Sequence, residues 1–304
     1  MNNLFSVYFF VYFFFSINAF YFIKKWIKIP KKYINLKKIF NFAYPFGLIS
    51  IFSIAVTLLE RIYIFNNLNL NDLAIYAMAV KVSLIAHIFT QSFNMSWGPS
   101  AFKNFKKKEF EKLSNLILKI YVVISLIIMA FILTLGERII LFISSEKYLD
   151  SYNIIFPLTL AVLIQGINEI TSMGIHLAKK TIMSLYSYIL YLICFSFICY
   201  IFILDYGLSA VAWSFLIANI ILFFMESFIS FNIYRIKFEY IKIFVCFIVI
   251  NLIYFLIIYY IDNFLLKFYC ISFACVALLT YSFFILFNSL ERKKIFNLKK
   301  DFIR

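Results

Sequence analysis

Three stretches of this sequence place polar and ionisable side chains in otherwise apolar surroundings. Ser50, Ser53 and Thr57 recur at helical spacing and lead into the adjacent pair Glu60 and Arg61. Further on, Ser83, His87, Thr90, Gln91 and Asn94 fall within an arc of roughly 100° at helical pitch, with Tyr76 on the same face. Gln165, Asn168, Glu169 and Ser172 form a third face at i, i+3, i+4 and i+7. An imidazole on such a face, His87, suits a proton relay. Read this way, the three faces line a hydrated cavity.

Each face also has a plainer reading, hydrogen bonding between packed helices at about 0.6–2 kcal/mol per bond. That reading suits the Ser and Thr positions, and a hydrogen-bonded packing histidine accounts for His87. It suits Glu60, Arg61, Lys81 and Glu169 less well, because a charge at a bilayer centre costs at least about 2.5 kcal/mol. Lys81 projects roughly opposite the His87 stripe, so one straight helix cannot aim both into a single cavity. The sequence instead suggests a Glu60–Lys81 pair across the hairpin turn at residues 66–72. The candidate pathway residues are Glu60, Arg61, Lys81, His87, Gln91, Gln165, Asn168 and Glu169. Glu226 lies near the end of an apolar block, where a carboxylate reaches the interface, and is given no role.

These faces need helices in a membrane to position them. Of the 304 residues, 64% are hydrophobic and 14% charged, against about 45–50% apolar and about 25% charged in soluble proteins. Mean hydropathy is +0.94. The apolar residues run in blocks near 20 long, the length that crosses a hydrocarbon core of about 30 Å. The chain is therefore read as an all-α integral membrane protein with about nine transmembrane helices, at residues 4–23, 42–60, 73–97, 117–135, 154–175, 182–204, 210–231, 243–261 and 268–287. Closed barrels are excluded because their strands alternate in polarity over about ten residues. Soluble enzymes and nucleic-acid-binding domains are excluded too, since the net charge of +15 is concentrated in short connecting loops.

Those loops set the expected orientation. On one side fall 24 of the 29 Lys and Arg residues, which by the positive-inside rule puts the C-terminus in the cytoplasm and the N-terminus outside. The segment 101–115, with Lys103, Lys106, Lys107, Lys108 and Lys112, reads either as a basic helix lying on anionic lipid or as a solvated loop. The external loops are short, the longest around residues 136–153. The last two spans carry few polar residues and read as peripheral and lipid-exposed. Cys194, Cys199, Cys246, Cys270 and Cys275 all lie in apolar blocks, without the spacing of a disulfide framework or zinc site. No cofactor is expected.

The order of several short motifs resembles a known family. Tyr44-Pro45 opens a span ending in Glu60-Arg61, and Ile75-Tyr76-Ala77-Met78-Ala79-Val80-Lys81 follows. Then come Ser92-Phe93 through Trp97-Gly98-Pro99, Glu146-Lys147-Tyr148, Gly174 with Lys179-Lys180-Thr181, and Tyr206-Gly207-Leu208. Over roughly residues 35–231 this resembles the second half of the O-antigen and polysaccharide flippases, within the multidrug/oligosaccharidyl-lipid/polysaccharide exporter superfamily. The resemblance implies two six-helix lobes, often with two further C-terminal helices. It also implies translocation of an undecaprenyl-diphosphate-linked glycan across the bacterial cytoplasmic membrane, with no enzymatic step. On that pattern, residues 1–38 correspond to the last helix of a first lobe and a basic linker, 39–231 to a six-helix C-terminal lobe, and 232–304 to two peripheral helices and a basic tail. The chain would then lack most of the first lobe, and a separate lobe or a second copy would complete it. Two alternatives stay open: a cation-coupled exporter of the same superfamily, with Glu60 or Glu169 as coupling group, and a polyprenyl-sugar polymerase, for which the external loops are small.

Overall fold

The computed structural model describes residues 2–24, 36–261 and 263–287, and every regular element among them is helical. In chain order these are α1 (Asn2–Ile23), α2 (Leu36–Asn67), α3 (Leu70–Asn104), α4 (Phe110–Ile143), a 3-10 turn (Glu146–Ser151), α5 (Tyr152–Thr171), α6 (Met173–Leu177), α7 (Ile182–Tyr234), α8 (Tyr240–Tyr260) and α9 (Phe264–Leu286). Six helical stretches are long and apolar enough to cross a membrane, judged by length and composition. The chain is an all-α, multi-pass membrane protein. Most of the basic linker before α2 and the whole basic tail after residue 287 lie outside the described residues.

Residues 1–41 form one compact unit and residues 42–304 another. In the first, α1 is 22 residues long, about 33 Å at helical rise. Its rings at Phe9, Phe10, Phe13, Phe14 and Phe22 are all exposed.

The second unit is organised around α5, which packs on α3, α4 and α7. Local chemistry sets the ends of its helices. Asn69 caps α3, its side chain accepting from the Asp72 amide at 2.9 Å, which satisfies one of the donors left open at a helix start. The 53-residue α7 is two spans, residues 182–206 and 208–234, divided at Gly207 with φ 55° and ψ −132°. Only glycine takes that backbone conformation without strain, so the break expected between residues 204 and 210 has a specific cause.

Two other expectations change in detail. The fifth span is interrupted at Ser172, where α5 gives way to the short α6. The basic segment 101–115 is neither a separate surface helix nor one long loop. Helix α3 runs through Asn104, α4 begins at Phe110, and a tight turn joins them.

Glycine also sets how closely α5 and α6 approach their neighbours. A Cβ on Gly166 would lie 1.9 Å from the Tyr121 hydroxyl, and one on Gly174 would lie 2.5 Å from Ser230 Oγ. The Tyr121 hydroxyl donates to the Leu163 carbonyl at 3.1 Å and shares a 3.0 Å hydrogen bond with Thr90. A tyrosine can thus cross the middle of the bundle with its polar end satisfied.

The last two helices are tied in more firmly than their composition suggested. Lys119 of α4 is fully buried and meets Glu239, just before α8, at 3.4 Å. Asn115 donates to the Lys237 carbonyl at 2.7 Å and accepts from the Glu239 amide at 2.8 Å. Lys267 of α9 pairs with Glu137 of α4 at 2.9 Å, its ammonium 4.8 Å from the Tyr152 ring centre. Two polar anchors therefore hold the α8–α9 pair to α4, although much of its remaining surface is exposed and apolar.

Candidate functional site

The polar arcs of α2, α3 and α5 border a single cavity of about 380 Å³. From α2 come Ser53, Thr57 and Glu60. Helix α3 supplies Tyr76, Ser83, His87, Thr90, Gln91 and Asn94, and α5 supplies Gln165, Asn168 and Glu169. The fourth wall is α7, with Tyr188 and Tyr191 from its first half and Phe215, Asn219 and Leu222 from its second. Of the candidate pathway residues, Glu60, His87, Gln91, Gln165, Asn168 and Glu169 are in this lining. Arg61 and Lys81 are not, and both side chains are exposed outside it.

The expected Glu60–Lys81 pair does not form. Glu60 is 6% exposed, and the Tyr76 hydroxyl lies beside its carboxyl without a well-formed hydrogen bond. The reason is angular. Lys81 follows Tyr76 by five residues, about 500° of helical rotation, which leaves it well off the tyrosine's face.

The α5 wall is fastened to α7 by a series of side-chain contacts. Gln165 Nε2 donates to Asn219 Oδ1 at 2.9 Å, and Asn168 Nδ2 donates to the Glu226 carboxylate. Thr171 and Ser227 share a 2.7 Å hydrogen bond, and the Gly174 amide donates to Ser230 Oγ at 3.1 Å. The pairs follow one another along the two helices, so each polar group meets a partner away from lipid.

Glu226, expected to reach the interface, is 3% exposed and bonded to a cavity residue. Tyr188, Tyr191 and Asn219 are the polar lining residues that the sequence reading left out, and Glu226 stands behind the lining, bonded to Asn168. None sits in an obvious polar arc, since α7 is apolar nearly all round. For Asn219 and Glu226 the signal available was the spacing 219, 226, 230, seven and then four residues apart, a thin stripe at helical period.

The α2 wall is built differently. Ser50, Ser53 and Thr57 each donate to the carbonyl four residues earlier in their own helix, at 3.0, 3.1 and 3.3 Å. Contacts from α2 to the rest of its unit include the Tyr63 hydroxyl to the Ser196 carbonyl at 3.4 Å and the Thr181 hydroxyl to the Phe42 carbonyl at 3.1 Å. Ser53, Thr57 and Gln91 are exposed, so the cavity opens along the α2–α3 edge.

The lining combines amides, hydroxyls, two carboxylates and an imidazole. Tyr76 Oη, Asn94 Oδ1 and Asn168 Oδ1 are buried beside the cavity without a protein hydrogen-bond partner. The volume has room for several waters or for part of a polyhydroxyl solute. Neither Glu60 nor Glu169 is in an ion pair; among the described residues the acidic members of ion pairs are Glu137 and Glu239. Compared with protein-family models and with curated proteins, the chain gives no match to either.

Proposed function

We propose that this chain forms one side of a translocation pathway for a lipid-linked oligosaccharide of the undecaprenyl-diphosphate class, in a bacterial cytoplasmic membrane, and that its role is transport without catalysis. The observation that carries this reading is the gathering of three polar arcs and Asn219 around one cavity inside an otherwise apolar bundle. Polar groups at membrane depth are retained where they line a hydrated path or bind a solute. Amides such as Gln165 and Asn219 offer donors and acceptors that match sugar hydroxyls. The flippase-like motif order supports the same substrate class.

In this proposal the sugar occupies the cavity while the diphosphate passes Arg61 and Lys81, exposed on α2 and α3 outside the lining. The exposed Gln91 amide is unfavourable against lipid. A second helical bundle, either a partner lobe or another copy of the chain, covers that edge. The basic turns face the cytoplasm and its anionic lipid, with the N-terminus outside. A second reading, a cation-coupled exporter, is favoured by one specific observation: Glu60 and Glu169 reach the same cavity outside any ion pair.

The test uses bacterial cells that lack their own flippase, expressing the chain together with the first lobe of a flippase, with surface glycan as the readout. Gln165→Ala, Asn219→Ala, Arg61→Ala and Lys81→Ala are each expected to reduce surface glycan at unchanged protein level. Unchanged glycan in all four variants would contradict the proposal.

A further inference from the structure

A second concavity lies away from the polar cavity, between the second half of α7 and the start of α8. It measures about 410 Å³ and is lined by Phe223, Phe224, Ser227, Phe228, Phe231, Tyr240 and Phe244. Phe224, Phe228 and Phe231 are 63%, 66% and 42% exposed, so the groove opens outward from an apolar span, toward hydrocarbon. From Phe223 to Phe231 it follows about 12 Å of helix. Ring contacts hold its floor in shape: Phe223 lies 5.0 Å from Phe244 and 5.2 Å from Phe224, and Tyr240 stacks on Phe244 at 5.9 Å.

One end of this groove is bounded by a short non-helical strap, residues 235–239. Its side chains alternate. Ile236 and Phe238 are buried at 4% and 9%, while Arg235, Lys237 and Glu239 are exposed. Asn115 pins the strap by accepting from the Glu239 amide and donating to the Lys237 carbonyl. The Glu239 carboxylate is turned to Lys119 at 3.4 Å and Lys242 at 4.0 Å. The acidic group is thereby engaged, and Arg235 and Lys237 give this end of the groove a net positive charge.

We infer that this groove and strap bind one anionic phospholipid of the adjacent leaflet, an acyl chain lying along the phenylalanines and the phosphate resting against Arg235 and Lys237. An aromatic trough without polar demands fits hydrocarbon, and paired cations at its end fit a phosphate. A neutral lipid satisfies only the first condition and a soluble phosphate only the second. The inference rests on the membrane fold and is independent of the transported substrate.

Native mass spectrometry of the full chain, released from mixed micelles of phosphatidylglycerol and phosphatidylcholine, tests this. The wild-type chain is expected to retain phosphatidylglycerol in preference. The double variant Arg235→Asn/Lys237→Gln, in which asparagine tolerates the positive φ of 53° at position 235, is expected to lose that preference by about tenfold while still retaining phosphatidylcholine. Phe224→Ala/Phe228→Ala, which changes exposed rings only, should lower retention of both lipids. Three results would overturn the inference: no lipid preference in the wild-type chain, equal loss of preference in a Lys103→Gln/Lys107→Gln control at the α3–α4 turn, or complete displacement of phosphatidylglycerol by added undecaprenyl phosphate, which would assign the groove to the polyprenyl carrier.

Discussion

The polar cavity has two walls of opposite construction. The α5 wall belongs to the most enclosed part of the bundle, with 78% of its most apolar stretch buried, whereas the corresponding figure for α2 is 11%. On α5, Gln165, Asn168 and Thr171 are bonded across to α7. On α2, Ser50, Ser53 and Thr57 bond back onto their own helix. Side-chain hydrogen bonds between helices fix a distance, while those within a helix leave it free to shift. On the transport role proposed above, α5 is the fixed wall and α2, tied to its neighbours through Tyr63–Ser196 and Thr181–Phe42, is the movable one, as pathways that move one element against another around the solute require.

Substitutions on the fixed wall should therefore cost most. Gly166→Leu drives a side chain into the Tyr121 hydroxyl, where a single added carbon already lies at 1.9 Å, and should destabilise by about 3 kcal/mol, with a clear drop in the thermal midpoint of the detergent-purified chain. Asn168→Leu leaves the buried Glu226 without its bonded amide and should cost about 2 kcal/mol. Adding Glu226→Leu should recover part of that loss, because replacing both partners removes the stranded carboxyl group. A double variant no better than the single would show that the pair does not fasten α5 to α7. On the movable wall, Thr57→Val removes a hydroxyl bonded only to Ser53 of the same helix and should change stability by less than about 0.5 kcal/mol. A loss as large as that of Asn168→Leu would erase the distinction between the walls.

Much of this is legible in the amino-acid sequence, and the particular residues explain why. Ser83, His87, Thr90, Gln91 and Asn94 share an arc set by helical pitch alone, and so do Gln165, Asn168 and Glu169. Periodicity therefore places them on a common face whatever the neighbours are. The break at Gly207 was readable for a similar reason, since Asp205, Tyr206 and Gly207 interrupt a continuous apolar run. Pairing between helices was not readable. Glu60 could be matched with Lys81 by charge, but the register across the turn presents Tyr76 instead. Glu226 looked like an interfacial carboxylate because its depth in a span does not reveal that Asn168 lies opposite. The burial of Lys119 and Lys267 was not readable either, because it depends on Glu239 and Glu137 arriving from distant segments.

The central claim is that Glu60, His87, Gln91, Asn94, Gln165 and Asn219 face one water-accessible space inside a membrane bundle. Single cysteines placed at Thr57, Gln91, Asn94 and Asn219, in a chain with its five native cysteines replaced by alanine, measure this directly through their reaction with a small membrane-impermeant thiol reagent. Comparison sites at Ile54 and Ile88, exposed on the apolar faces of α2 and α3, complete the experiment. The account predicts labelling at the four cavity positions and protection at the two apolar ones; uniform labelling, or protection at all four cavity positions, would contradict it.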